Sequence, residues 1–235
     1  MKTNLFSRLA LCCALVFSLT TAAAQTTEPD SLKDSSATAI AGVDYCTTYM
    51  DLLTDRWSHA DSVEVITKSR SKQAWRGGAD YHFDSDKAAV EKLFKNKVVA
   101  VKYRDTLLVN CTKFKDRGTK FGKGYVRALW LKDSSLVVLY CNVAKISARN
   151  MTGAMFGLVG ALAVAGKSVD MAKHNVCYVF HPGNFKLEIV DEKLLPKMLQ
   201  DRQDLIDEYQ QVDKKQRLNA EVVLPLLRKA GWLRE

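Results

Sequence analysis

The 235 residues, 47% of them hydrophobic, are enough to bury a core without covalent staples, in one domain or two small ones. With 35 basic against 26 acidic residues the formal charge is +9, which favours anionic partners. The six cysteines lack the paired spacing of a zinc site, and none lies in a Cys-x-x-Cys redox motif.

The chain opens like a secretory signal. Lys2 and Arg8 form a positive start, Leu9–Leu19 is an apolar run too short to span a bilayer comfortably, and Ala22-Ala23-Ala24 offers a signal-peptidase site. Residues 1–24 are therefore expected to be a signal peptide. Export then makes disulfides feasible, with Cys46, Cys111, Cys141 and Cys177 as the candidates and four buried free thiols as the alternative. Residues 25–43 are polar and rich in Ser and Thr at their start, and are expected to be a flexible leader.

An α+β domain is expected over 44–190. A short helix is read from the apolar spacing of Tyr45, Tyr49, Leu52 and Leu53, and another after Asp84 or Ser85, with Ala89, Val90, Leu93 and Phe94 on one face. The period then changes. Val99, Val101 and Tyr103 alternate with polar or small residues, and "DTLLVNCTKF" reads as the returning strand after a turn at Arg104-Asp105. "GYVRALWL" and "SLVVLYCNV" make a second hairpin. "VCYVF" and "FKLEIV" make a third around His181-Pro182-Gly183-Asn184, with Phe185, Leu187 and Ile189 facing inward. Six such strands predict an antiparallel β-rich middle, either a sheet or a small open barrel. A helical tail over 191–235 follows, with apolar faces Leu195/Met198/Leu199, Leu205/Ile206/Tyr209/Val212 and Val222/Val223/Leu226/Leu227. Gly231 is placed to end the last of these helices.

The stretch "ALAVAGKS", Ala161–Ser168, fits a permissive phosphate-binding P-loop. Its chemistry argues against one. The leading position is Ala161, the variable positions are Leu162, Ala163, Val164 and Ala165, and no second glycine is present to turn amides inward around a phosphate. No nucleotide and no other cofactor is expected. Gly153, Gly157, Ala161 and Ala165 recur every four residues and would form a small-residue packing ridge on a helix. Met151–Gly166 would make about 24 Å of helix, short of the ~30 Å of bilayer hydrocarbon. Three readings stand: a helix packed on the sheet, a membrane-inserting or self-associating arm, or two strands with a glycine turn.

In "DYHFDSDKAAVE" the residues Asp80, His82, Asp84, Asp86 and Glu91 occupy EF-hand ligand positions. Position 6 is Ser85 where Gly is needed, and His82 is a poor calcium ligand. Asp80, Asp84, Asp86 and Glu91 remain weak metal candidates beside the plainer reading, a polar loop running into a capped helix. His59, His174 and His181 are far apart, and no His-Glu-x-x-His or Gly-x-Ser-x-Gly signature is present. No catalytic residue is assigned.

Charge is concentrated between Lys95 and Lys132, with eleven basic residues against Asp105 and Asp116. Such a window suits an anionic membrane or polysaccharide, or else forms a solvated sheet face. Export makes nucleic acid a poor partner.

The order "AVKYRDTLLVNCTKF", "GYVRALWL", "GAMFGLVGALAVAG", "CYVFHPGNFKLEIVDEKLLPKML", "VVLPLLRKAG" resembles a family of uncharacterised exported proteins of Bacteroidota, over roughly Lys97 to Gly231. The resemblance implies a cell-envelope location and no particular activity. The expectation is an exported protein, periplasmic, outer-membrane associated or secreted. It would be non-enzymatic, contacting an anionic membrane or an envelope protein, with possible self-association through the Gly/Ala helix. The alternative is a periplasmic hydrolase-like enzyme or glycan-binding module.

Overall fold

The computed structural model describes residues 36–69, 72–73, 78–142 and 175–234. The expected signal peptide over residues 1–24, the Ala161–Ser168 stretch and the Met151–Gly166 run with its ridge Gly153, Gly157, Ala161 and Ala165 lie outside these residues.

The fold is α+β. The first strand, β1 (Ala37–Cys46), is followed by helix α1 (Tyr49–Leu53), then β2 (Ser58–Thr67) and β3 (Tyr81–Asp84). Helix α2 (Ala88–Asn96) leads into β4 (Ala100–Tyr103) and β5 (Thr106–Asn110), then the small hairpin β6 (Lys115–Asp116) and β7 (Thr119–Lys120). Next come β8 (Tyr125–Trp130), β9 (Leu136–Tyr140), β10 (Val176–His181) and β11 (Lys186–Ile189). The tail supplies α3 (Leu194–Met198), α4 (Gln203–Gln211) and α5 (Ala220–Lys229). Nine strands form one antiparallel sheet in the order β11-β10-β9-β8-β3-β2-β1-β4-β5. Strand β8 also pairs with β5, so β8-β3-β2-β1-β4-β5 curls into a ring that is only weakly closed, since β3 meets β8 at the single pair Tyr81–Tyr125.

Two expectations are corrected at the front of the chain. The leader was expected to run to residue 43, yet β1 begins at Ala37 and pairs along its length with β2, from Ala37–Thr67 to Tyr45–Ser58. The outer part of this ribbon buries little, and Ile40 is 77% exposed. Ladder hydrogen bonds order it where side-chain burial does not, and the apolar content of the sequence does not report that. Tyr45 belongs to β1, so the first helix starts only at Tyr49, with the Thr48 hydroxyl accepting from the Asp51 amide at 3.0 Å.

Three apolar clusters divide the interior. Inside the ring lie Val43, Val63, Val65, Phe83, Val101, Leu108 and the α2 residue Phe94, which plugs it. The Tyr125 hydroxyl donates to the Phe94 carbonyl at 2.7 Å, tying the end of α2 to the wall. Strands β9 and β10 are buried on both faces. Leu136, Val138, Tyr140, Val176, Tyr178 and Phe180 point into one cluster, and Val137, Leu139, Cys177 and Val179 into another beneath the helical tail. The tail covers that second face with Leu195, Leu199, Leu205, Tyr209, Val223, Leu226 and Leu227. Gly231 ends α5 with φ +71. Among the described residues no helix is long and apolar enough to cross a membrane.

Candidate functional site

The sequence-derived metal candidates do not converge. Residues 81–84 form a strand rather than a loop, and strand geometry sends alternate side chains to opposite faces. Asp80 is buried with the Arg127 guanidinium at 3.5 Å. The other three carboxylates are engaged locally: Asp84 accepts from the Ser85 amide, Asp86 from the Ser85 hydroxyl, and Glu91 pairs with Lys95 at 3.0 Å. Lys87 stands at the N-cap of α2, in place of Asp84 or Ser85. Among the described residues no group of three His, Cys, Asp or Glu side chains could hold a metal ion. The four cysteines are free, buried thiols. Cys46 donates to the Arg56 carbonyl at 3.1 Å and Cys111 to that of Gly122 at 3.2 Å, while Cys177 lies on the opposite face of the sheet. Burial pushes the Cys46 thiol up to about 11 and the Cys111 thiol up to about 12.

The basic window is not one face. Lys102 lies over the Trp57 ring at 4.2 Å and pairs with Asp55. Arg127 turns toward Asp80, and Lys132 sits with Arg228 and Arg234 at a separate hollow. Four other lysines, Lys95, Lys97, Lys113 and Lys115, line one cavity of about 510 Å³.

Five pieces of chain build that cavity. Helix α1 brings Tyr49, and the exit of α2 brings Lys95 and Lys97. The loop between β5 and β6 carries Lys113 and Phe114 to Lys115 at the start of β6, and β10 and β11 bring Phe180 and Leu187. Asn110, at the end of β5, fixes two of these pieces together. Its amide donates to the Val98 carbonyl at 3.0 Å, and its carbonyl accepts from the Thr112 amide at 3.0 Å. The rings run in contact. Tyr49 lies 5.2 Å from Phe180, Phe180 4.6 Å from Phe114, and Phe114 6.0 Å from Phe121. Phe114 and Phe180 are core residues, so the floor is rigid.

Phe185 forms the rim. The sequence places it inward on β11, but it belongs to the turn, with φ +59, and is 67% exposed. The Asn184 side chain spans it by accepting from the Lys186 amide at 3.0 Å, an Asx turn. Positive φ therefore falls on Phe185 rather than on Gly183 or Asn184, and its ring meets Tyr49 edge-on at 5.2 Å.

The electrostatics have one sign. Among the described residues no Asp, Glu, His, Cys or Ser lines the cavity. Lys95 is paired to Glu91, whereas Lys97, Lys113 and Lys115 make no ion pair among the described residues. Burial pushes the Tyr49 phenol up, with the nearby Cys111 adding to the effect, so it stays a neutral hydrogen-bond donor. A smaller recess of about 190 Å³ adjoins through Lys95, Asn96, Asn110 and Thr112 and adds Lys123 and His82. Such a site can hold an anion over an apolar lining. Sequence reasoning flagged the four lysines through the basic window. It had no signal for Tyr49, Asn110 or Phe180 as partners, because their meeting depends on long-range pairing.

The model of a family of unknown function (DUF6563) matches residues 44–233. No curated protein and no solved structure matches the chain.

Proposed function

The chain belongs to that family of unknown function, and from its own chemistry we propose a non-enzymatic, exported cell-envelope protein that engages anionic lipid through the lysine-rimmed cavity. The observation that carries this reading is Lys95, Lys97, Lys113 and Lys115 around a floor of Tyr49, Phe114 and Phe180, with no carboxylate lining it among the described residues. Lysine stems can lie along apolar surface while their ammonium groups meet anionic headgroups. The signal-like start supports export, and the resemblance to exported proteins of Bacteroidota supports an envelope location. Among the described residues no carboxylate, histidine, cysteine or serine lines the cavity, and this supports binding over turnover. The Met151–Gly166 run is a second candidate contact, proposed from its small-residue spacing alone.

Co-sedimentation of the chain lacking residues 1–24 with vesicles tests the membrane reading. Retention on anionic vesicles at low salt, lost at high salt and absent on zwitterionic vesicles, is expected. Equal recovery in the supernatant with both vesicle types would overturn it.

A further inference from the structure

Resting on the reading above, we infer that the cavity takes one anionic amphiphile at a time as a discrete ligand, its phosphate or carboxylate head among the lysines and its alkyl chain on the aromatic floor. The volume of about 510 Å³ falls within the ~300–1,000 Å³ of small-molecule sites. A flat electrostatic patch would need no such hollow. Its accessible apolar lining includes the half-buried Tyr49, Val99 and Leu187 and the exposed Phe185, so an occupant that touched only the lysines would leave that surface uncovered.

Charge decides the head. Among the described residues Lys97, Lys113 and Lys115 are exposed cations without an acidic partner, and none of the described lining side chains competes as an anion. The neutral Tyr49 phenol makes no hydrogen bond among the described residues and can donate to an anionic oxygen. Phe185, exposed on a left-handed turn residue and held edge-on against Tyr49, is placed to cover the chain once it is seated. A divalent cation is excluded by the same lysines, and a bare phosphate ion would leave the floor unused.

The test uses octyl, decyl and dodecyl phosphate below their micelle concentrations, with inorganic phosphate and decanol as controls, read by isothermal titration calorimetry at low salt. The chain lacking residues 1–24 is expected to bind one alkyl phosphate, with affinity rising roughly tenfold per two added methylenes until the floor is full. Inorganic phosphate and decanol should each bind at least tenfold more weakly than decyl phosphate. The double variant Lys113→Glu, Lys115→Glu should lose at least tenfold. Phe185→Asn, which tolerates the left-handed backbone, should flatten the chain-length dependence. Both variants change exposed residues, so an unchanged thermal melt separates lost binding from lost fold. No saturable binding, no chain-length dependence, or wild-type affinity in the lysine variant would overturn the inference. Vesicle retention without alkyl phosphate binding sinks this inference and leaves the membrane reading standing. Alkyl phosphate binding without vesicle retention does the reverse.

Discussion

The hydroxyl of Tyr140 accepts a hydrogen bond from the backbone amide of Gly122 at 2.9 Å. The same oxygen accepts from the amide of Gly78 at 3.0 Å, so one phenol ties two loops to the end of β9 while its ring stacks on Phe121 at 3.9 Å. Tyr140→Phe keeps the ring and strands both donors. Leaving a buried donor unsatisfied costs about 1–3 kcal/mol. A loss of roughly 2–4 kcal/mol of stability is expected, read as a lower urea midpoint with an unchanged m-value. A midpoint shift within error would show that the two amides find other acceptors.

Gly78 and Gly183 should respond oppositely to alanine. A Cβ on Gly78 would stand 1.9 Å from the Cys141 carbonyl oxygen, a backbone atom directly after the end of β9. A Cβ on Gly183 meets nothing within 4 Å, and the residue is not at positive φ. Gly78→Ala should cost several kcal/mol, about the range of severe core strain, and Gly183→Ala should change stability by about +0.4 to +1 kcal/mol by restricting the unfolded chain. Thermal melts of the two variants check this directly.

Two histidines should titrate on opposite sides of 6.5. Asp44, 2.6 Å from the His59 ring, raises its pKa through the hydrogen bond. Burial first, then the Lys68 charge, lowers that of His82. The signs follow from linkage. The His59 contribution is full below 6.5 and is lost as pH rises through its folded pKa. His82 resists protonation in the folded state, so stability declines as pH falls below 6.5. Nuclear magnetic resonance titration of the two rings should place His59 above His82, and Asp44→Asn should bring only His59 back toward 6.5.

The thiols should be inert in the folded protein. Cys46, Cys111 and Cys177 are each 2% exposed or less, and burial holds all three thiols well above the ordinary range. Purified chain lacking residues 1–24 should react with a thiol reagent only after denaturation, then at Cys46, Cys111, Cys141 and Cys177 together, as read by intact mass. Fewer than four labels on the denatured, unreduced chain would reveal disulfides.

Local chemistry was enough for the sequence to determine the hairpins β4–β5, β8–β9 and β10–β11. Each has alternating or continuous apolar residues and a polar connection, and neighbours in sequence are the strands that pair. The tail helices were equally legible, because Leu195, Leu205, Tyr209 and Leu227 repeat at helical spacing and are buried as that spacing requires. Strands β1, β2 and β3 were not. β1 carries small and polar residues, and its outer half gains order by pairing with β2, a partner the local pattern does not name. The cavity was decided by tertiary structure alone. Tyr49 meets Phe180 only because β4 pairs back to β1, β5 crosses to β8, and β9 carries β10 alongside. The sequence placed many lysines between residues 95 and 132, and long-range strand pairing selected which four of them share an apolar floor.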